Sequence, residues 1–213
     1  MPKANEPLEW SDRAEAIWRR TVPLRGTIAE KYLAYRGCIL PPPDSDLRFL
    51  PAGEKFPPSL CAKVTDARTN KPLTLHFTRL AADGRGKAGT AQDKLLLAGH
   101  RKKGGCIRLW PDDAVTYGLG IAEGIETALV AARAFSPVWA TVDAANMTVF
   151  PILPGIDCLA IYADHDQAGM RAAIQCAQRW KNTCHEVSVF RSPVPGDDVA
   201  DMLRRIGARK GAA

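Results

Sequence analysis

The apolar positions change their spacing twice along this chain, and each texture predicts a different kind of element. Between Trp10 and Tyr35 they recur at helical intervals. Ser11 stands where a cap belongs for a first helix whose apolar face is Ala14, Ile17 and Trp18. Thr27 stands in the same place for a second helix, 28–35, which should stop at Arg36-Gly37. These two helices are expected to be a packing pair. After Pro41-Pro42-Pro43 the spacing becomes that of short strands, at 47–50, 59–65, 73–80, 94–98 and 106–110. Turn signals such as Asp83-Gly84 and Gly104-Gly105 separate them, which predicts a small, largely antiparallel sheet.

From Gly118 onward strands and helices alternate. Strands are expected at 119–122, 138–142, 159–163 and 187–190, with helical segments at 125–135, 144–150, 168–181 and 199–206. Such alternation predicts parallel strands joined by crossover helices on the faces of the sheet. Sites in such sheets form at the carboxyl ends of the strands. The expected organisation is a helical segment over 1–40, a basic β-rich subdomain over 41–115 and an α/β domain over 116–208.

Composition narrows the field of partners. The 213 residues, 46% hydrophobic and 24% charged, suit one large globular domain or two small ones. Lys and Arg number 29 against 23 Asp and Glu, a net charge of +6 that suits a polyanionic partner. Basic residues dominate the stretch from Arg79 to Arg108. The six cysteines include no CxxC pair, so no structural zinc site is expected, and Cys158 and Cys176 read as buried thiols of a reducing compartment. Neither a signal peptide nor a membrane span is expected, which predicts a cytoplasmic protein.

Candidate chemistry gathers at the predicted strand ends. The run Ile161-Tyr162-Ala163-Asp164-His165-Asp166 drives an apolar strand into two aspartates separated by one residue. Side chains two apart on extended backbone share a side, so Asp164 and Asp166 present paired carboxylates. Paired carboxylates resist joint ionisation unless a cation neutralises them, and hard oxygen donors favour Mg²⁺. The alternative is an acidic strand-to-helix turn with Asp166 at the helix start. Glu123 stands at the end of another predicted strand, followed by Gly124, whose missing side chain leaves room for a ligand. Glu126, one turn into the next helix, reads as scaffold, auxiliary ligand or solvent-facing residue. A third cluster, Asp197-Asp198 with Asp201, follows the last strand and fits either metal binding or capping.

This order, Glu-Gly after one strand, Asp-x-Asp some forty residues later and a trailing acidic turn, resembles the Toprim domain. That domain is shared by bacterial-type primases, topoisomerases, some nucleases and recombination mediators. Phrases such as Gly26-Thr27-Ile28-Ala29-Glu30-Lys31-Tyr32-Leu33, Leu47-Arg48-Phe49-Leu50-Pro51 and Ile121-Ala122-Glu123-Gly124-Ile125-Glu126-Thr127 resemble Toprim primases of phages, plasmids and mobile elements. The resemblance implies a Toprim-like α/β fold, a mostly parallel sheet flanked by helices and preceded by the small helical and β-rich subdomain. It implies catalysis by Glu123, Asp164 and Asp166. The same three, with Asp198 and Asp201, would hold Mg²⁺ or Mn²⁺. Arg79, Lys94, Arg101, Lys102 and Lys103 would hold nucleic acid or nucleotide.

Two departures stand out. Thr127 occupies a position that is acidic in replicative primases, and the trailing acids are three apart rather than two. The implied activity is Mg-dependent synthesis of short primers on single-stranded DNA from nucleoside triphosphates. With no zinc module in view, a separate helicase or zinc-binding chain is the expected partner. A Toprim nuclease and a non-catalytic DNA-binding module are the competing readings. Gly84-x-Gly86-x-x-Gly89 matches a dinucleotide fingerprint but no helix is predicted after it, and no GxxxxGK[ST] phosphate loop occurs.

Overall fold

The computed structural model describes residues 9–54, 56–183 and 185–192. The Ser11 hydroxyl accepts the Ala14 N–H at the start of α1 (Asp12–Arg19), and Thr27 accepts that of Ala29 before α2 (Ile28–Tyr35). The second helix ends at Arg36, and Gly37 follows in the left-handed region at φ +73°. Both caps, and the stop of the second helix, fall where the sequence predicts them.

Strands β1 (Leu47–Leu50), β2 (Ser59–Asp66), β3 (Pro72–Arg79) and β4 (Lys94–Leu96) form an antiparallel sheet in that order, with β5 (Gly105–Cys106) paired to the far end of β2. Alternation splits this sheet into two apolar faces. Leu50, Cys61, Leu75 and Phe77 pack against Ala14, Ile17 and Trp18 of α1. Phe49, Leu60, Ala62 and Val64 face the opposite way, into a core shared with Tyr32 and Leu33 of α2 and with α3 (Ile125–Ala131).

The second sheet is fully parallel, in the order β7-β6-β8-β9, from β6 (Gly118–Ala122), β7 (Val138–Ala140), β8 (Cys158–Ala163) and β9 (Glu186–Arg191). On one side lies α3. On the other, Leu119, Ile121, Leu159 and Ile161 join Met147 of α4 (Ala144–Thr148) and Ala172, Ala173, Cys176 and Trp180 of α5 (Gln167–Trp180). Every residue of α3 is buried, because the helix is enclosed by both sheets. Its Ala-rich sequence supplies the small side chains such a position needs.

Four expectations are corrected. The two helices are not a packing pair: α1 lies against one face of the antiparallel sheet and α2 against the other. The apolar run 106–110 is not one strand: only Gly105 and Cys106 pair with β2, after which Ile107 exchanges both backbone hydrogen bonds with Ala140 of β7, 2.7 and 3.1 Å. The run therefore carries the chain from one sheet to the edge of the other. Helix α3 ends at Ala131 rather than near Phe135, since Pro137 already supplies its carbonyl to Gly120 of β6. Cys158 is half-buried at the opening of β8, whereas Cys176 is fully buried. The helix expected over 199–206 lies outside the described residues.

Arg108 fastens the same junction. Its buried guanidinium donates to Thr65 Oγ1 and to the carbonyls of Asp66 and Ala67, pairs with Asp112, and lies 4.5 Å over the Trp139 ring of β7. Among the described residues no helix is long and apolar enough to cross a membrane.

Trp180 stacks on Phe150 with ring centroids 6.2 Å apart, while its buried indole N–H has no hydrogen-bond partner among the described residues. Trp180→Ala should lower unfolding free energy by about 3–5 kcal/mol. Trp180→Phe should cost clearly less, because it removes the unpaired donor along with the lost ring. Urea unfolding of the two variants checks the difference.

Candidate active site

Acidic side chains follow three neighbouring strands at their carboxyl ends: Glu123 after β6, Asp143 after β7, and Asp164 and Asp166 after β8. They lie close enough to act on one another. Burial first, and then the charges of Asp164, Asp166 and Asp143, push the Glu123 carboxyl up to about 7, against a weaker opposing pull from Lys94. The pairing of Glu123 with the Asp-x-Asp, expected from sequence, is thus realised as an electrostatic cluster. Among the described residues no three acidic, His or Cys side chains converge closely enough, as they stand, to hold a metal ion. Asp198 and Asp201 lie outside the described residues.

Asp166 is also a helix cap. Its Oδ1 accepts the Gly169 N–H at 2.7 Å, which opens α5 and leaves Oδ2 for another partner. The helix-start reading of this turn therefore holds, and the same carboxylate adds its charge to those acting on Glu123. Gly169 is required by sterics, because an added Cβ would meet the Asp164 carbonyl oxygen at 2.8 Å. The imidazole Nε2 of His165 accepts from Arg191 at the end of β9, 3.2 Å away.

Asp143 was not singled out in the sequence, although it follows an expected strand directly. Its Oδ1 accepts the Asn146 N–H at the start of α4, and its Oδ2 takes the Lys102 ammonium. The turn that delivers it is strained: Val142, a β-branched residue, has φ +74°, a conformation costing on the order of 1–3 kcal/mol. Thr141 holds this turn to β6 by giving both its N–H (2.8 Å) and its hydroxyl (3.1 Å) to the carbonyl of Ala122, the residue before Glu123.

Glu126 does not face solvent. It is 4% exposed, accepts from the Tyr32 hydroxyl at 2.7 Å and pairs with Lys94 at 3.2 Å. Burial alone would raise its carboxyl; the charge of Lys94 and the Tyr32 hydrogen bond outweigh that and hold it down to about 2. Gly124 lies at φ −104°, a conformation open to any residue, and an added Cβ would make only ordinary contacts with Glu126, Lys94 and Thr127. The glycine keeps clear the space over the first turn of α3.

The basic residues divide. Lys94 stands opposite Thr78 on the inner face of the antiparallel sheet, beside the acidic cluster. Arg79, one residue on from Thr78, points to the other face. There it lines an apolar cavity of about 180 Å³ with Arg13, Phe56 and Phe77, remote from the carboxylates. No acidic group lines that cavity, so the chemistry is assigned to the open carboxyl edge. Arg101 is committed to Asp66 (3.2 Å) and Glu9 (3.1 Å). Lys102 reaches Asp143, and Lys103 is exposed beside it.

Comparison with known proteins follows this geometry. A Toprim domain model matches residues 118–209, and a domain of unknown function (DUF7146) matches residues 9–109. No curated protein matches the chain. Among solved structures, the primase fragment of the bacteriophage T7 primase-helicase protein is similar at 14% identity and TM-score 0.53, over 98% of this chain and 79% of that one. The DnaG catalytic core is similar at 15% and 0.54, over 94% and 77%. The Aquifex aeolicus primase (zinc binding and RNA polymerase domains) is similar at 14% and 0.54, over 88% of this chain and 55% of that one. At such identities the likeness is one of fold: an α/β domain with a parallel sheet, of Toprim type, preceded by a second sheet as in these primase cores.

Two predictions follow from the split between the glutamates. The depressed Glu126 contributes stability above its ordinary value of 4.5, and this is lost as pH falls toward about 2; Glu126→Gln should flatten that acid limb in urea titrations. Glu123 has the opposite sign. Its raised carboxyl opposes folding increasingly as pH climbs from 4.5 to about 7, so Glu123→Gln should gain more in Tm over wild type at pH 8 than at pH 5.

Proposed function

We propose that the Toprim domain at 118–209 and the basic antiparallel sheet beside it form a primase-type nucleotidyltransferase core acting on single-stranded DNA. The observation that carries this reading is the gathering of Glu123, Asp143, Asp164 and Asp166 at the carboxyl ends of three adjacent strands, close enough for their charges to act on Glu123. Such a surplus of mutually repelling carboxylates is the oxygen donor set that a hard divalent cation neutralises. Toprim domains generally bind such cations. Glu123, Asp164 and the free oxygen of Asp166 would hold Mg²⁺ or Mn²⁺, with Asp198 and Asp201 as further ligands. Bound there, the metal would lower the pKa of an attacking hydroxyl and neutralise phosphate charge.

The residues of the chain supply position and charge. Asp166 fixes the start of α5 while presenting its second oxygen to the cluster. Buried Glu126 holds Lys94 at the mouth of the site, where that ammonium is still partly exposed and suited to a triphosphate. Lys102 and Lys103 border the same edge and suit the template phosphates. Arg101 serves as the loop's anchor, and Arg79, on the far face, has no part in holding the reacting groups. A separate zinc-binding or helicase chain is the proposed partner for template recognition.

Purified protein given single-stranded DNA, labelled nucleotides and Mg²⁺ or Mn²⁺ should make short products, and Asp164→Asn should reduce them at least about 100-fold. Template degradation that depends on Asp164 instead would replace the primase reading with the nuclease. DNA binding with neither activity would leave a binding module.

A further inference from the structure

The loop from Arg101 to Gly105 is basic, yet its backbone is held as firmly as a strand. Asn146, 4% exposed in α4, donates to the carbonyls of Lys102 (2.9 Å) and Gly105 (3.2 Å), and its Oδ1 accepts the Gly104 N–H at 3.2 Å. The carboxamide thus uses both of its donor hydrogens and its acceptor on one loop. Gly105 has no room for a side chain, since a Cβ would meet Val64 at 2.6 Å and the Lys102 carbonyl at 2.9 Å. Arg101 closes the near end through Asp66 and Glu9. Against this fixed backbone the Lys102 side chain is half-exposed, on a flexible stem, and its ammonium rests on Asp143 Oδ2. That carboxylate is one of the charges acting on Glu123.

We propose that Lys102 is a shared cation, neutralising Asp143 while the strand ends hold no divalent ion and passing to a nucleic-acid phosphate when one enters. The inference rests on the reading of Glu123, Asp164 and Asp166 as a divalent-cation site in a nucleic-acid enzyme. A divalent charge held by Glu123, Asp164 and Asp166 would offset the negative potential around Asp143 and repel the ammonium, freeing Lys102 for a phosphate. Asn146 keeps the loop in place, so only the side chain moves and its ammonium stays at the carboxyl edge. Cation binding and phosphate binding then become reciprocally coupled: each strengthens the other by the same factor. Asn146 is a positioning residue in this scheme and touches no reacting group.

The test is the salt dependence of binding to a labelled oligothymidylate, followed by fluorescence anisotropy with the full chain, in Ca²⁺ and in EDTA. Each phosphate contact on a single strand steepens the plot of log affinity against log salt by about 0.7. In wild type, Ca²⁺ should steepen the slope by about that amount and raise affinity about 3- to 10-fold at low salt. Asp143→Asn keeps a side-chain oxygen for the α4 cap, so the fold is retained. It should show the steep slope with or without Ca²⁺. Lys102→Met keeps the stem and should show the shallow slope in both.

A wild-type slope unmoved by Ca²⁺, an Asp143→Asn protein that keeps the full Ca²⁺ response, or absence of DNA binding would each overturn the proposal. Primer synthesis run on the same preparations separates the two ideas. Slopes that behave as expected without primers would sink the primase reading alone, and primers with Ca²⁺-independent slopes would sink this one alone.

Discussion

A carboxylate buried in the first turn of a helix enclosed by two sheets has to be neutralised where it lies, and Glu126 is neutralised by groups from both other parts of the chain. Tyr32 comes from α2 and Lys94 from β4, the edge strand of the antiparallel sheet. Leaving such a charge unpaired is strongly unfavourable, so the three elements are held in one mutual arrangement. That arrangement sets where the basic face of one sheet meets the acidic edge of the other. Buried Arg108 adds a second polar fastening between the two sheets, while the surrounding core of Leu, Ala and Val tolerates sliding far better than a buried ion pair does.

Glu123 and Glu126 stand three residues apart and are driven in opposite directions, one up to about 7 and the other down to about 2. The same chemical group becomes a readily protonated carboxyl in one place and a permanent anion in the other. What separates them is the company each keeps: acidic strand ends for the first, an ammonium and a phenol for the second. Lys94 contributes to both environments, so the scaffold and the site share a charge.

Much of this was legible in the sequence because the local signals agree with one another. Ser11, Thr27 and Gly37 mark helix ends by chemistry that acts within a few residues, and the alternation after Gly118 reports a parallel sheet directly. The placement of Glu123, Asp164 and Asp166 at one edge followed from that topology. Other features depend on contacts between distant residues and left no local trace. Nothing near Glu126 announces Tyr32, 94 positions earlier, and nothing near Lys102 announces Asn146. Arg79 and Lys94 look alike in a basic stretch, and only the pairing of β3 with β4 puts them on opposite faces. Asp143 was legible in principle, as an acid directly after a strand, but a single aspartate at a turn carries too little information to stand out.

The backbone exchange between Ile107 and Ala140 ties the two sheets together, because one chain segment is hydrogen-bonded into β5's sheet and then into the edge of the parallel sheet. On the proposed reading, a ligand at the carboxyl edge meets two sides already joined through the backbone. Adjustment to it then falls to long side chains such as Lys94 and Lys102 rather than to one sheet closing on the other.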